Sequence, residues 1–183
     1  MKKKLLILPL LMVVITGCSS QSLSSTSCVK CMPPKQPFSI PFEDFSFSLE
    51  WGVELDASYN SETKQLVKFT HVRERQPEDY ITTYTYPNLR DVYDDVRTID
   101  IFSYDDEFDP FKGKQHIMTT PSMQYKLTIG DKSIEIKDYP ISRDMRGLTV
   151  KGKDLIELIF SITDTIESSD EWNNLPDFEY YYM

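Results

Sequence analysis

The chain has 183 residues and a formal charge of −9, with 40% hydrophobic, 27% charged and 13% aromatic residues. This is a globular composition, neither collagen-like nor disordered, and the length suits a leader plus one domain rather than two full domains. The acidic balance argues against a nucleic-acid partner, whose phosphates need a basic footprint.

Met1-Lys2-Lys3-Lys4 is a basic leader, and Leu5 to Ile15 is an apolar run broken only by Pro9. That run is shorter than the ~20 residues a bilayer-spanning helix needs and has the proportions of a secretory signal. Ile15-Thr16-Gly17-Cys18 follows, with small residues before a cysteine. Charge, apolar length, small residues and position together resemble the lipobox of bacterial lipoproteins; an ordinary signal peptide with a chance cysteine is the alternative. The resemblance implies that residues 1–17 are a removed signal peptide and that the Cys18 thiol carries a diacylglyceryl group. It also implies a site on a bacterial cell membrane or outer membrane, with the domain outside the cytoplasm. Ser19 after Cys18 resembles the outer-membrane sorting pattern. Loss of Lys2, Lys3 and Lys4 leaves a more acidic body, which anionic headgroups repel. Acyl chains at Cys18 must then hold the protein on the membrane, and two or more suffice where one is marginal.

Residues 18–37 are rich in Ser and Pro and have no apolar period. Such a segment cannot bury enough surface to offset its ordering entropy, so it reads as a flexible tether with a reach of about 25 Å. Cys28-Val29-Lys30-Cys31 lies within it. A thioredoxin-like site would need a following helix, which Pro33-Pro34 denies, and haem attachment would need His where Met32 stands. A zinc site would need two more ligands, and the histidines His71 and His116 are distant. A small local disulfide between Cys28 and Cys31, or two idle thiols, is the expectation.

The domain is expected to span 38–183. Phe45, Phe47, Leu49 and Trp51 alternate with Ser46, Ser48 and Glu50, predicting a strand with one buried face. Val53 and Leu55 keep that parity, with Gly52 as a bulge. Asp56 to Glu62 reads as a turn with Asn60 and Ser61 at its middle. Leu66 to Val72 is a second strand, Arg73 to Glu78 a charged loop, and Tyr80 to Tyr86 a β-branched and aromatic third strand. The period then becomes helical. Leu89, Val92, Tyr93, Val96 and Ile99 form one face, with Asn88 as cap and Asp91 in the first turn. Met123, Tyr125, Leu127 and Ile129 alternate, then Gly130-Asp131, then Ile134 and Ile136, a hairpin pattern. Leu155, Ile156, Ile159, Ile162 and Ile166 define a second helix ending near Ser168, and Asp170-Glu171-Trp172 adds a turn before Pro176. The expected fold class is α+β. It comprises two layers: a mainly antiparallel five-stranded sheet, in the order β-β-β-α-β-β-α, with two helices on one face.

Residues Phe45 to Gly52, Pro77-Glu78-Asp79-Tyr80 leading into Thr82-Thr83-Tyr84, Pro121-Ser122, and Glu171-Trp172 with Leu175-Pro176 resemble a group of small bacterial lipoproteins. That resemblance spans most of residues 40–180 and implies a fold and an address, not a reaction.

Chemistry is sparse. The chain has no G-x-S-x-G, no H-E-x-x-H and no glycine-rich phosphate loop. His71 reads as a strand residue and His116 as a loop residue. Asp105-Asp106-Glu107-Phe108-Asp109 is the one dense acidic run. Asp105, Glu107 and Asp109 offer oxygens at the alternate spacing calcium uses, but Pro110 stands where such a loop needs Gly and His116 where it needs Glu, so a solvated loop is expected and no metal. Trp172, Phe178, Tyr180, Tyr181 and Tyr182 crowd the C-terminus. Rings with polar tips suit ligand contact, with packing of Trp172 and Phe178 on the sheet as the other reading. The sequence therefore predicts a lipid-anchored envelope protein displaying a binding domain without cofactor. Its partners would be the membrane through Cys18 and an envelope protein or glycan. An envelope hydrolase using acidic residues, or a structural lipoprotein, is the alternative.

Overall fold

Strict alternation at Phe47, Leu49 and Trp51 puts three large side chains on one side of the first strand; the same alternation recurs at Tyr125, Leu127 and Ile129 and at Ile134 and Ile136, and shifts by one before Tyr139. A computed structural model describes residues 38–68, 80–113 and 122–177. Contacts divide the chain into Met1–Pro33 and Pro34–Met183, and every described residue lies in the second unit. The elements in chain order are β1 (Phe47–Gly52), β2 (Ala57–Asn60), β3 (Gln65–Lys68), β4 (Ile81–Thr83), α1 (Leu89–Thr98), β5 (Ser122–Ile129), β6 (Lys132–Pro140), α2 (Val150–Glu167) and the single turn α3 (Asp170–Asn173). The strands form one sheet in the order β4-β3-β2-β1-β5-β6. Each neighbouring pair is antiparallel.

The protein is α+β with an antiparallel sheet, as the sequence predicts, but among the described residues the sheet has six strands rather than five and there are three helices rather than two. The extra strand arises at Gly52. There the chain takes φ 111°, and a 3₁₀ turn at Val53–Leu55 carries Glu54 and Leu55 in the left-handed region. A Cβ on Gly52 would stand 1.7 Å from Asp56 Oδ1, so only glycine permits this reversal. The predicted bulge is a sharp corner, and β2 runs back beside β1 through the pairs Leu49–Tyr59 and Trp51–Ala57. Asn60 then closes β2 and starts the next turn, its Oδ1 accepting from the amides of Glu62 and Thr63, both at 3.0 Å.

Cross-strand register places Phe47, Leu49, Tyr59, Leu66, Tyr125, Leu127, Ile134 and Ile136 on one face. Val92, Tyr93 and Val96 of α1 and Leu155, Ile156, Ile159, Ile162 and Ile166 of α2 join these side chains in one core. The third predicted strand is shorter than its composition suggests. After β4, Tyr84 and Tyr86 leave the sheet and turn into the core around Tyr59, whose hydroxyl donates to Tyr84 O and accepts from Tyr86 N. Asn88 precedes α1 but makes no side-chain cap. Thr149 does cap α2: its Oγ1 accepts from Gly152 N at 2.8 Å and donates to Pro110 O. At the opposite end of β1 from Gly52, the first described residues are fastened down. The Phe38 ring packs on Tyr93 and Phe102, and the Tyr93 hydroxyl donates to Ile40 O.

Gly152 sits where the 103–113 loop meets α2, and a Cβ there would lie 2.0 Å from Pro110 O. The obstacle is backbone, so Gly152→Ala must displace loop or helix. The expected cost is about 1–3 kcal/mol, the range for forced overpacking, read from the urea midpoint at unchanged slope.

Candidate functional site

Cys18, Cys28, Cys31, His71, His116, Phe178, Tyr180, Tyr181 and Tyr182 lie outside the described residues, as do the predicted signal peptide and tether. The described candidates are Trp172 and the acidic run. Trp172 is only 7% exposed. Its ring stacks on Trp51 with centroids 5.4 Å apart, and the Lys68 ammonium sits 4.8 Å from its centre. The faces that could stack on a ligand are thus covered by protein.

The acidic run covers the outer edge of β6. Phe108 N donates to Glu135 O at 2.9 Å and Glu135 N to Asp106 O at 2.7 Å, a parallel bridge that satisfies part of an open strand edge. Asp106 pairs with Lys132 and Glu107 with Lys137, while Asp109 Oδ1 accepts from Phe111 N. Phe108 turns inward, edge-on to Tyr104 at 5.0 Å. These carboxylates point at lysines and a turn rather than at one another. Among the described residues no group of three or more His, Cys, Asp or Glu is placed to hold a metal.

The sheet face opposite the helices is polar except at Val67 and Ile81, on β3 and β4. Ser48, Ser58, Asn60, Thr128 and Ser133 lie on it, with the ion pair Glu50–Lys126 at 2.8 Å across β1 and β5. All of these are half-buried, whereas Val67, opposite Ser58 on the same face, is buried. Two shallow depressions open on it, meeting at Asp131 in the β5–β6 turn. One, of about 330 Å³, is lined by Asp106, Glu107, Lys126, Ser133 and Glu135. The other, of about 340 Å³, is lined by Ser46, Ser48, Asn60, Glu62 and Thr128.

A second constellation lies on the helix side, where β1, β5 and the end of α2 meet. Trp51 Nε1 donates to Glu167 Oε1 at 3.0 Å, and Arg143 Nη2 lies 3.6 Å from Glu167 Oε2. Arg143 also pairs with Asp164, donates to Thr163 Oγ1 at 3.1 Å and lies over the Phe160 ring. The Tyr125 hydroxyl, fully buried, sits beside this guanidinium but outside hydrogen-bond geometry, and burial pushes it far above the usual phenol range. Burial likewise raises Glu167, outweighing the opposing pull of the Trp51 N–H, Arg143 and Lys68. Sequence reasoning missed Arg143, Glu167 and Lys68. Arg143 lies in an irregular stretch and the others carry no local pattern; only the pairing of distant elements brings them together.

Two outcomes are expected. Phe108→Ala should cost about 2 kcal/mol in urea titration because it removes a packed ring, whereas Asp106→Asn and Glu107→Gln should leave the midpoint nearly unchanged, their ion pairs being exposed. For Glu167, a raised folded pKa means its contribution to stability is complete below the ordinary value of 4.5 and is lost as pH rises through the folded value. Wild-type stability, measured against Glu167→Gln over that window, should therefore fall with rising pH.

No family model, no curated protein and no solved structure matches this chain.

Proposed function

We propose that the protein is a lipid-anchored component of a bacterial envelope that displays a non-catalytic binding domain and holds a protein partner on its open sheet face. The observation that carries this reading is the polar face of β1, β5 and β6, whose side chains are half-exposed. An antiparallel sheet can leave one side in water, but this side also holds two depressions joined at Asp131 and a charged pair, Glu50–Lys126, at its centre. Hydroxyls, an amide and fixed ion pairs are the groups found at the polar parts of protein interfaces. Glycan capture would call for an exposed ring on which a sugar can stack. Trp172, the described candidate for that role, is covered by Trp51 and Lys68.

The anchor rests on Met1 to Cys18: a basic start, a short apolar run and small residues before cysteine. None of the described helices is long and apolar enough to cross a membrane. Attachment through acyl chains at Cys18 fits both facts.

Two measurements test the halves separately. Cys18→Ser should abolish incorporation of radiolabelled fatty acid and release the protein from the membrane fraction; normal labelling of the variant overturns the anchor. A photo-crosslinking residue placed at Ser58 or Thr128 in cells should trap a protein of defined size, and one at Glu157 on the exposed side of α2 should not. Adducts at Glu157 alone, or none at Ser58 and Thr128, overturn the assignment of the face.

A further inference from the structure

Glu167 and Arg143 join three parts of the molecule that are remote in sequence. Glu167 ends α2 and accepts the Trp51 indole N–H of β1. Arg143 belongs to the arm of residues 141–146 that leaves β6, and its backbone holds φ 53°, a conformation that costs energy for a residue with a Cβ. Its guanidinium reaches back to α2 through Asp164, Thr163, Glu167 and the Phe160 ring. Side-chain contacts with the helix therefore help to hold a strained arm against it.

Among the described residues, the charged or titratable groups facing Glu167 come from four elements. Arg143 approaches from the arm and Asp164 from one turn earlier in α2. Lys68 approaches from β3 and is itself paired with Asp177, and Tyr125 faces it from β5. The cations favour the carboxylate; burial and Asp164 favour the acid. The indole N–H bonds to either form, because a neutral carboxyl still has an accepting oxygen. Arg143, by contrast, stands 3.6 Å away as an ion pair, and it loses that charge attraction when the carboxyl is neutral.

We propose that Glu167 is a proton-operated latch: as a carboxylate it helps hold the 141–146 arm to α2 through Arg143, and as a carboxylic acid it slackens that arm while keeping its indole partner. The neutral form also brings an O–H donor to a region where the Tyr125 hydroxyl has no hydrogen-bond partner among the described residues. The bound proton is the only species exchanged, drawn from and returned to solvent through a side chain that is 35% exposed.

The two tryptophans stack on each other, and one of them bonds the switching group, so their emission reports the latch directly. The full chain in detergent is titrated downward from neutral pH and followed by tryptophan fluorescence and by amide exchange corrected for intrinsic rates. The expected wild-type result is a reversible emission change with a midpoint above 4.5, together with a several-fold faster exchange confined to residues 141–146. Glu167→Gln should lose the emission change and exchange fast in the arm at every pH, while Asp164→Asn should keep the change. A wild type without an emission change above that value overturns the latch, as does a change that survives in Glu167→Gln. Should Glu167→Gln fail to fold, the wild-type exchange profile decides: acid-induced opening of the arm supports the latch, and uniform or absent opening overturns it.

Discussion

The fold depends on a sheet whose large apolar side chains gather on one side, and on α2 covering that side. Ile159, Ile162 and Ile166 recur at helical spacing against strand residues of period two, and Phe160 reaches sideways to Tyr125 and Tyr139. Each fully buried aliphatic or aromatic chain contributes about 1.5–3 kcal/mol. That burial fixes the register, because a slip of one residue would turn Phe47, Leu49 and Trp51 to water and bring Ser48 and Glu50 inside. The polar face and the half-buried ionic cluster both follow from that register. Serines and Glu50 point outward because Leu49 and Trp51 point inward. Glu167 reaches the Trp51 indole because α2 runs to the far end of β1.

Local pattern was informative wherever one period held for several residues. The β5–β6 hairpin closes at Gly130-Asp131 with Ile129 opposite Lys132, and α2 ends at Glu167, next to the residue where its apolar stripe runs out. Reading failed where a single residue reversed the chain. Gly52 has the same place in an alternating run whether it bulges or turns, and only the close approach of Asp56 distinguishes the two. The alternation Ala57-Ser58-Tyr59-Asn60 was the available signal for β2, hidden by its polar members. The 80–86 segment misled in another way. Its β-branched and aromatic content suits a strand, but Tyr84 and Tyr86 serve the core as rings around Tyr59 rather than as members of the sheet.

The candidate sites divide along the same line. An acidic run is visible in sequence, whereas its use as a cover for the β6 edge depends on Glu135 lying opposite Glu107, a relation between residues far apart in the chain. Trp172 was legible as important, but its role as a lid on Trp51 required knowing that α3 folds back over the end of β1. Arg143 and Glu167 are ordinary surface types by composition. Their significance comes from burial and from one another.

The fastening of Phe38 has a mechanical consequence. Any tension carried by the chain before residue 38 enters the domain there, at the Tyr93 and Phe102 rings and the Tyr93–Ile40 hydrogen bond, not at the strand itself. These contacts act as a strain relief. A pull must first peel Phe38 and Ile40 from α1 before it loads β1, which is hydrogen-bonded on both sides, to β2 and to β5. β1 is an interior strand of the sheet, so two ladders rather than one would have to give way before it came free. A pull entering at Phe38 would therefore have to break the packing of Phe38 and Ile40 before it could unravel the first strand.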